Sequence, residues 1–213
     1  MKNIDKLKKY AELIHQKNQV MNITGFKSQE EIFSEGIINS LEAFKPFEDK
    51  FTDQNIKLLD IGAGAGFPSL PFLIANPEKI DLTILESQKK RCDFLEDVAK
   101  TLNLRLNVIN NRAEEEKSYN HFFDVVTARA VSSVKNMYLM AHHLLKLNGY
   151  FYLIKGENYQ EELNEFFTFF PNKKKDVSVS QYTDKSFIVF IKKSEETPKK
   201  WPLKWKNIID YKK

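Results

Sequence analysis

Three of the chain's seven glycines, Gly62, Gly64 and Gly66, fall within five residues, directly after the apolar run 56–61. The segment reads Leu58-Leu59-Asp60-Ile61-Gly62-Ala63-Gly64-Ala65-Gly66-Phe67-Pro68. Glycines at such a junction let the backbone turn tightly and approach a ligand closely, because no Cβ stands in the way. Pro68 suits the first turn of a following helix. A turn of this kind cradles a nucleotide-like cofactor. The plainer alternative is a loop that only needs positive φ values.

Two cofactor classes use such a turn. The dinucleotide fingerprint is G-x-G-x-x-G, with a helix N-terminus facing a pyrophosphate. Here the spacing is G-x-G-x-G, and Asp60 stands two residues ahead of the first glycine. An acid there repels a pyrophosphate. It suits a ligand with a cationic amino group and a sulfonium, which describes S-adenosylmethionine. Glu86 closes the next apolar run, twenty residues after Gly66. A carboxylate so placed accepts hydrogen bonds from both hydroxyls of a ribose; alone, it would read as a solvated strand-end charge. A nicotinamide-dependent oxidoreductase is the competing reading, disfavoured by the glycine spacing and by Asp60.

Other chemistries find little footing. No Ser–His–Asp or paired-carboxylate arrangement stands out, and His15, His121, His142 and His143 show no metal-ligand spacing. They read as packed or surface residues, and no metal is expected. Cys92 is the only cysteine, so an intrachain disulfide and a Cys-rich zinc site are both excluded. Three residues before Leu95 on a helical segment, it reads as a small core residue. Lys173-Lys174-Lys175 reads as a solvated loop.

The elements that must position the glycine turn follow from periodicity. Residues 5–20 have the spacing of an amphipathic helix, with Leu7, Ala11 and Ile14 on one face. A second helix is predicted from Gln29 to Phe44, ending before Pro46, and the polar stretch 48–55 reads as a connection. Apolar β-type runs then alternate with helical segments. The runs are 56–61, 80–85, 104–109, 122–128 and 150–154; the helical segments are 69–75, 87–102 and 133–147. Such alternation means a mostly parallel sheet with right-handed crossovers. Runs 177–181 and 187–192 read as an antiparallel edge hairpin. The expectation is a single α/β domain of Rossmann-like fold over residues 1–213: a helical extension (1–50), a core (56–193) and a basic tail (197–213).

With 213 residues the chain is long enough for one sizeable core. No apolar run approaches the roughly 20 residues of a spanning helix, and the first residues lack the apolar core of a secretory signal. A cytoplasmic protein without membrane attachment is expected. The net charge is +4, but residues 197–213 carry +5 and the other 196 sum to −1. A basic tail on a near-neutral body suits a polyanionic partner. Trp201, Trp205 and Tyr211 interleave with its lysines. They suit stacking on unpaired bases, or alternatively packing the tail against the body while the lysines face water.

The run Leu59-Asp60-Ile61-Gly62-Ala63-Gly64-Ala65-Gly66-Phe67-Pro68-Ser69-Leu70-Pro71 resembles motif I of the glucose-inhibited division protein B family, the 16S ribosomal RNA guanine-N7 methyltransferases. The likeness continues through Glu86-Ser87, Lys90-Arg91 with Phe94-Leu95, and Arg112-Ala113-Glu114. It takes in Phe123-Asp124-Val125-Val126-Thr127-Ala128-Arg129-Ala130 and Leu153-Ile154-Lys155-Gly156. Asn22-Ile23-Thr24 and the tail Thr197-Pro198-Lys199-Lys200-Trp201-Pro202 are also similar, so the resemblance spans about residues 15 to 202. Two departures stand out. Many members carry a His followed by an Asp-Ser pair in the second N-terminal helix, where this chain reads Glu35-Gly36-Ile37-Ile38-Asn39-Ser40. The tail continues Leu203-Lys204-Trp205 where the family has Pro-Gly.

The resemblance implies an S-adenosylmethionine-dependent rRNA methyltransferase with 16S rRNA or the small ribosomal subunit as partner; a monomer is expected. Guanine N7 carries an unprotonated lone pair on the major-groove edge. Methylating it needs positioning rather than a base, and alignment alone is worth roughly 7–11 kcal/mol. The implied cofactor contacts are Gly62, Phe67, Ala113, Glu114 and Arg129, beside Asp60, Gly64, Gly66 and Glu86 from the residues themselves. Arg129 would grip the methionine carboxylate or an RNA phosphate; a salt bridge to a carboxylate such as Asp60 is its plainer role. Lys155 would meet an RNA phosphate or the guanine O6, against plain surface charge. With the His and Asp missing, a non-catalytic ribosome-binding factor of the same fold stays open.

Overall fold

The computed structural model describes residues 3–211. Seven strands form a mixed, mostly parallel sheet. The chain divides into two compact units, Met1–Asn111 and Arg112–Lys213.

In the first unit, β1 (Ile56–Ile61), β2 (Ile80–Glu86) and β3 (Leu106–Asn110) pair in parallel with β2 in the middle. β1 and β2 are buried over nearly their whole length, as continuous apolar runs of a covered parallel sheet should be. The crossovers are α5 (Ser69–Ala75) and α6 (Lys89–Leu102). All seven residues of α5 are buried, so it has no polar face to give to water.

Ahead of the sheet lies α1 (Ile4–Asn18), with Leu7, Tyr10, Ala11 and Ile14 buried. A second helical stretch follows: α2 (Gln29–Glu31), a π-helical segment Ile32–Ile38, and α3 (Asn39–Ala43). Ser28 caps it by accepting the Glu31 N–H at 3.1 Å. The 48–55 connection is partly corrected: Lys45–Lys50 forms α4, with Pro46 opening a new helix rather than only closing the last. Phe47 draws this turn inward beside Phe44, which stacks on Phe72 at 4.4 Å.

In the second unit, β4 (Phe123–Arg129) runs parallel to β5 (Leu145–Lys155). The antiparallel strands β7 (Ser186–Lys192) and β6 (Val177–Thr183) follow at the edge. The 133–147 helix is shorter than expected: α7 (Val134–Ala141) gives way to a 3-10 turn, and β5 begins at Leu145. A further helix, α8 (Tyr159–Phe169), packs Leu163 and Phe166 inward.

Lys173 corrects the solvated-loop reading. It lies in a 3-10 turn and is buried, its ammonium bound to Ser194 at 3.0 Å and Glu195 at 3.0 Å. Lys193 is fully buried too. Its Nζ donates to the carbonyls of His142 and Leu145 at 2.9 and 2.7 Å and to Thr197 Oγ1 at 2.9 Å. Burial lowers its pKa to about 8.

The tail settles against the body. Trp201 meets Tyr138 and His142 edge-on, Tyr211 stacks on Phe170 at 5.9 Å, and Ile208 of α9 (Trp205–Ile209) is buried. The base-stacking expectation for Trp201 and Tyr211 is therefore corrected: both rings are used in packing. Lys199, Lys200, Lys204 and Lys206 face water.

Candidate functional site

The glycine turn leaves the carboxyl end of β1. Gly62, Gly64 and Gly66 all have positive φ, at 70°, 60° and 111°. Two of them differ in purpose. A Cβ on Gly66 would come within 2.6 Å of the Tyr10 hydroxyl and 2.8 Å of Leu70 Cδ2, so this glycine closes the turn against protein. A Cβ on Gly64 would meet only the Ile23 carbonyl, at 4.0 Å, so this glycine faces open space. That is the difference between a glycine needed for packing and one beside which a ligand can lie.

Glu86 ends β2 and is buried, with 2% of its surface exposed. Its Oε2 accepts the Gly64 N–H at 3.2 Å and its Oε1 accepts the Gln88 N–H at 2.9 Å. Arg91 stands 3.7 Å from Oε2. Each oxygen thus takes one backbone bond, and the carboxylate keeps further lone pairs for a pair of hydroxyls. Asn110 braces the strand end by donating to the carbonyls of Glu86 and Ser87, each at 3.0 Å. Cys92 points its Sγ at the Glu86 carbonyl, 3.3 Å away. Burial, and then the charge of Glu86, raise its thiol pKa, which fits the core-residue reading.

Asp60 is fully buried within β1. Its Oδ2 accepts both the backbone N–H of Ser69 at 3.3 Å and its hydroxyl. The acid expected to face a cationic ligand therefore also ties the start of α5 to the strand below the glycine turn.

Phe67 and Gly36 meet beside the glycine turn. The Phe67 ring is edge-on to Phe26 at 6.0 Å and tilted on Tyr10 at 5.9 Å. A Cβ on Gly36 would approach Phe67 Cζ at 2.6 Å. The aromatic ring occupies the room into which a side chain at 36 would project. The Phe67–Pro68 peptide bond is cis.

In the second unit, Ala113 and Glu114 are buried in a turn early in that unit. The Glu114 carboxylate accepts Arg112 Nε at 2.7 Å, and the Arg112 guanidinium lies over Trp205 at 5.4 Å. Arg129 ends β4 half-buried, followed by Ala130 in the left-handed region at φ 57°. Lys155 closes β5. It is 9% exposed, donates to the Ser132 carbonyl at 2.6 Å and pairs with Glu162 at 2.8 Å. Glu162 in turn accepts the Val134 N–H at 2.8 Å. Lys155 braces the segment 130–134 that follows Arg129.

Several contributors had no signal in the sequence. Tyr10 donates its hydroxyl to the Ala65 carbonyl at 2.6 Å, holding the glycine turn from α1. Asn18 and Phe26 shape the loop beside that turn. Among the described residues there is no group of three or more His, Cys, Asp or Glu placed to hold a metal, and no helix long and apolar enough to cross a membrane.

Comparison with known proteins shows the family. Residues 3–195 match the GidB family, rRNA small subunit methyltransferase G. Ribosomal RNA small subunit methyltransferase G of Mycoplasmopsis pulmonis is 38% identical, over 98% of this chain and 92% of that protein. Its counterpart in Streptococcus sanguinis is 34% identical, over 94% and 87%. Among solved structures, a SAM-dependent methyltransferase from Aquifex aeolicus superposes with a TM-score of 0.55 at 17% identity, covering 77% of this chain and 97% of that one. The T. thermophilus 16S rRNA N2 G1207 methyltransferase, solved with AdoMet and guanosine, gives 0.51 at 16%, covering 68% and 36%. These likenesses fix the fold as that of S-adenosylmethionine-dependent methyltransferases.

Proposed function

The chain belongs to the GidB family of rRNA small subunit methyltransferases, and from that premise we propose that it methylates N7 of a guanine in 16S ribosomal RNA, using S-adenosylmethionine. The observation that carries the cofactor half is the Glu86 carboxylate. It is held by the N–H groups of Gly64 and Gln88, beside a glycine whose missing Cβ leaves open space. The residues fit the group: a buried acceptor for the ribose hydroxyls and a backbone that a ligand can approach closely.

When bound, S-adenosylmethionine supplies an electrophilic methyl on a sulfonium. The chain's own part is to bind and orient. Glu86 would hold the ribose hydroxyls, and the Gly62–Gly66 turn would let the ligand approach the backbone closely. Asp60 holds the start of α5 through Ser69. In the second unit Arg129 offers a guanidinium to a carboxylate or phosphate, and Lys155 with Glu162 steadies the segment behind it. Guanine N7 needs no proton removed, so the lack of a paired acid and base among the assigned residues suits the reaction. The family match sets the nicotinamide-dependent reading aside.

The test is mass mapping of methylated nucleotides in small-subunit rRNA from cells carrying the wild-type gene, no gene, or Gly64→Val. The expected result is one 7-methylguanosine present with the wild type and absent from the other two. Identical maps in all three strains would refute the proposal.

A further inference from the structure

An open cleft of about 640 Å³ lies between the loop that follows α1 and the first turn of α6, wholly within the first unit. Its lining includes Asn18, Asn22, Thr24, Lys27 and Arg91, and no carboxylate. The loop is built around Asn18. The Nδ2 of that residue donates to Thr24 Oγ1 at 3.0 Å and to the Phe26 carbonyl at 2.9 Å. Its Oδ1 accepts the N–H groups of Ile23 and Thr24, both at 3.1 Å. Both donors and both acceptor sites of the amide are taken, so the wall is rigid. It is also close to the chemistry, since its Ile23 carbonyl is the nearest atom to the open side of Gly64.

The opposite wall is electrically unusual. The first turn of α6 carries Lys89, Lys90 and Arg91 and no acid. Cations there oppose the positive end of the helix dipole, where acids are the stabilising choice. Lys89 is paired with Asp93. The ion pair of Arg91 with Glu86 is long, at 3.7 Å, and its Nε is buried with no hydrogen-bond partner. Lys27 is exposed on the other wall. Two cations, Lys27 and Arg91, and a row of amide and hydroxyl groups line the same cleft.

We propose that this cleft receives the sugar–phosphate backbone of the RNA strand next to the target guanosine, with Arg91 and Lys27 each neutralising a phosphate and Asn22 bonding the adjoining ribose. The inference rests on the rRNA methyltransferase reading and adds to it the place where the strand enters. A polyanion matches the charge, and 2′-hydroxyls match the amide.

The experiment uses the full chain with Lys27→Gln, Arg91→Gln and the double variant. Filter binding of purified small-subunit rRNA across a salt series gives affinity and salt slope; calorimetry gives S-adenosylmethionine affinity. Losing two phosphate contacts should flatten the slope of log K against log salt by about 1.4 and weaken RNA binding on the order of tenfold at moderate salt. Lys27→Gln should bind S-adenosylmethionine as the wild type does. Arg91 touches Glu86, so its cofactor affinity serves to measure that contact. An unchanged RNA affinity and slope in a double variant that melts like the wild type would overturn the proposal. So would a Lys27→Gln protein whose cofactor affinity falls in step with its RNA affinity, because the cleft would then belong to the cofactor. A wild-type protein that leaves small-subunit rRNA unmethylated refutes the parent reading instead, before the variants are compared.

Discussion

Glu86 and Gly64 are twenty-two residues apart, and the N–H of the glycine points at Oε2 of the acid across 3.2 Å. The end of one strand and the turn leaving its neighbour are thereby locked to each other. Removing the carboxylate would release the turn and, on the proposed role, take away an acceptor for the ribose. Glu86→Ala should weaken S-adenosylmethionine binding by about 1–3 kcal/mol through lost charge-assisted bonds, read by calorimetry. An unchanged affinity would remove Glu86 from the cofactor site.

The two neighbouring glycines should fail in different ways. Gly64→Val meets open space but a positive φ, so it should fold with a modest drop in melting temperature and lose cofactor binding. Gly66→Ala adds a clash with Tyr10 and Leu70 to its φ of 111° and should mainly lower the melting temperature. Paired melting curves and binding isotherms separate the outcomes. Equal behaviour of the two variants would contradict the division of roles.

Lys155 and Glu162 should act as one unit. If Lys155 braces the segment after Arg129, then Lys155→Met and Glu162→Gln should each lower turnover, with cofactor affinity near normal and about 1–3 kcal/mol lost in stability. If Lys155 instead touched RNA, Lys155→Met alone would weaken RNA binding. Steady-state kinetics on both variants decides between these.

The tail should behave as part of the folded body. Truncating Trp201 to Ala removes edge contacts with Tyr138 and His142 and should cost about 3 kcal/mol of stability. A Trp201→Ala protein that melts like the wild type would return that ring to the surface.

Acid should weaken the second unit through its histidines. Burial, and then Lys193, hold His142 down at about 3, and burial lowers His143 as well. The unfolded chain takes these protons first, below its ordinary value near 6.5. Stability is therefore full above pH 6.5 and falls progressively toward pH 3, His142 alone accounting for about 2 kcal/mol at pH 5. His142→Phe should keep the ring packing and show a smaller loss in melting temperature between pH 7.5 and 5. A loss as large as that of the wild type would mean that other groups drive it.

Strands and glycine turn were legible because covered parallel strands are continuous apolar runs and because three alternating glycines have few uses. Helix α8 was not foreseen, although Leu163 and Phe166 sit three apart before Pro171. Missing α8 also hid Glu162, the ion-pair partner of Lys155 at the end of β5. Lys173 misled in the same way, since a run of three lysines gives no hint that one turns inward. The Tyr10 bond to Ala65 joins residues fifty-five apart, and no local pattern encodes it.

That last bond has a practical consequence for protein engineering. Tyr10 belongs to the segment ahead of the sheet, yet it supports the glycine turn. Asn3 at the head of the same helix donates to the Ile74 carbonyl at 2.8 Å. A minimal catalytic module trimmed to begin at β1 would lose the hydroxyl that anchors the turn and would uncover the apolar side of α5. Fusion partners belong in front of residue 3, and a shortened version has to keep α1 even though it contributes no strand.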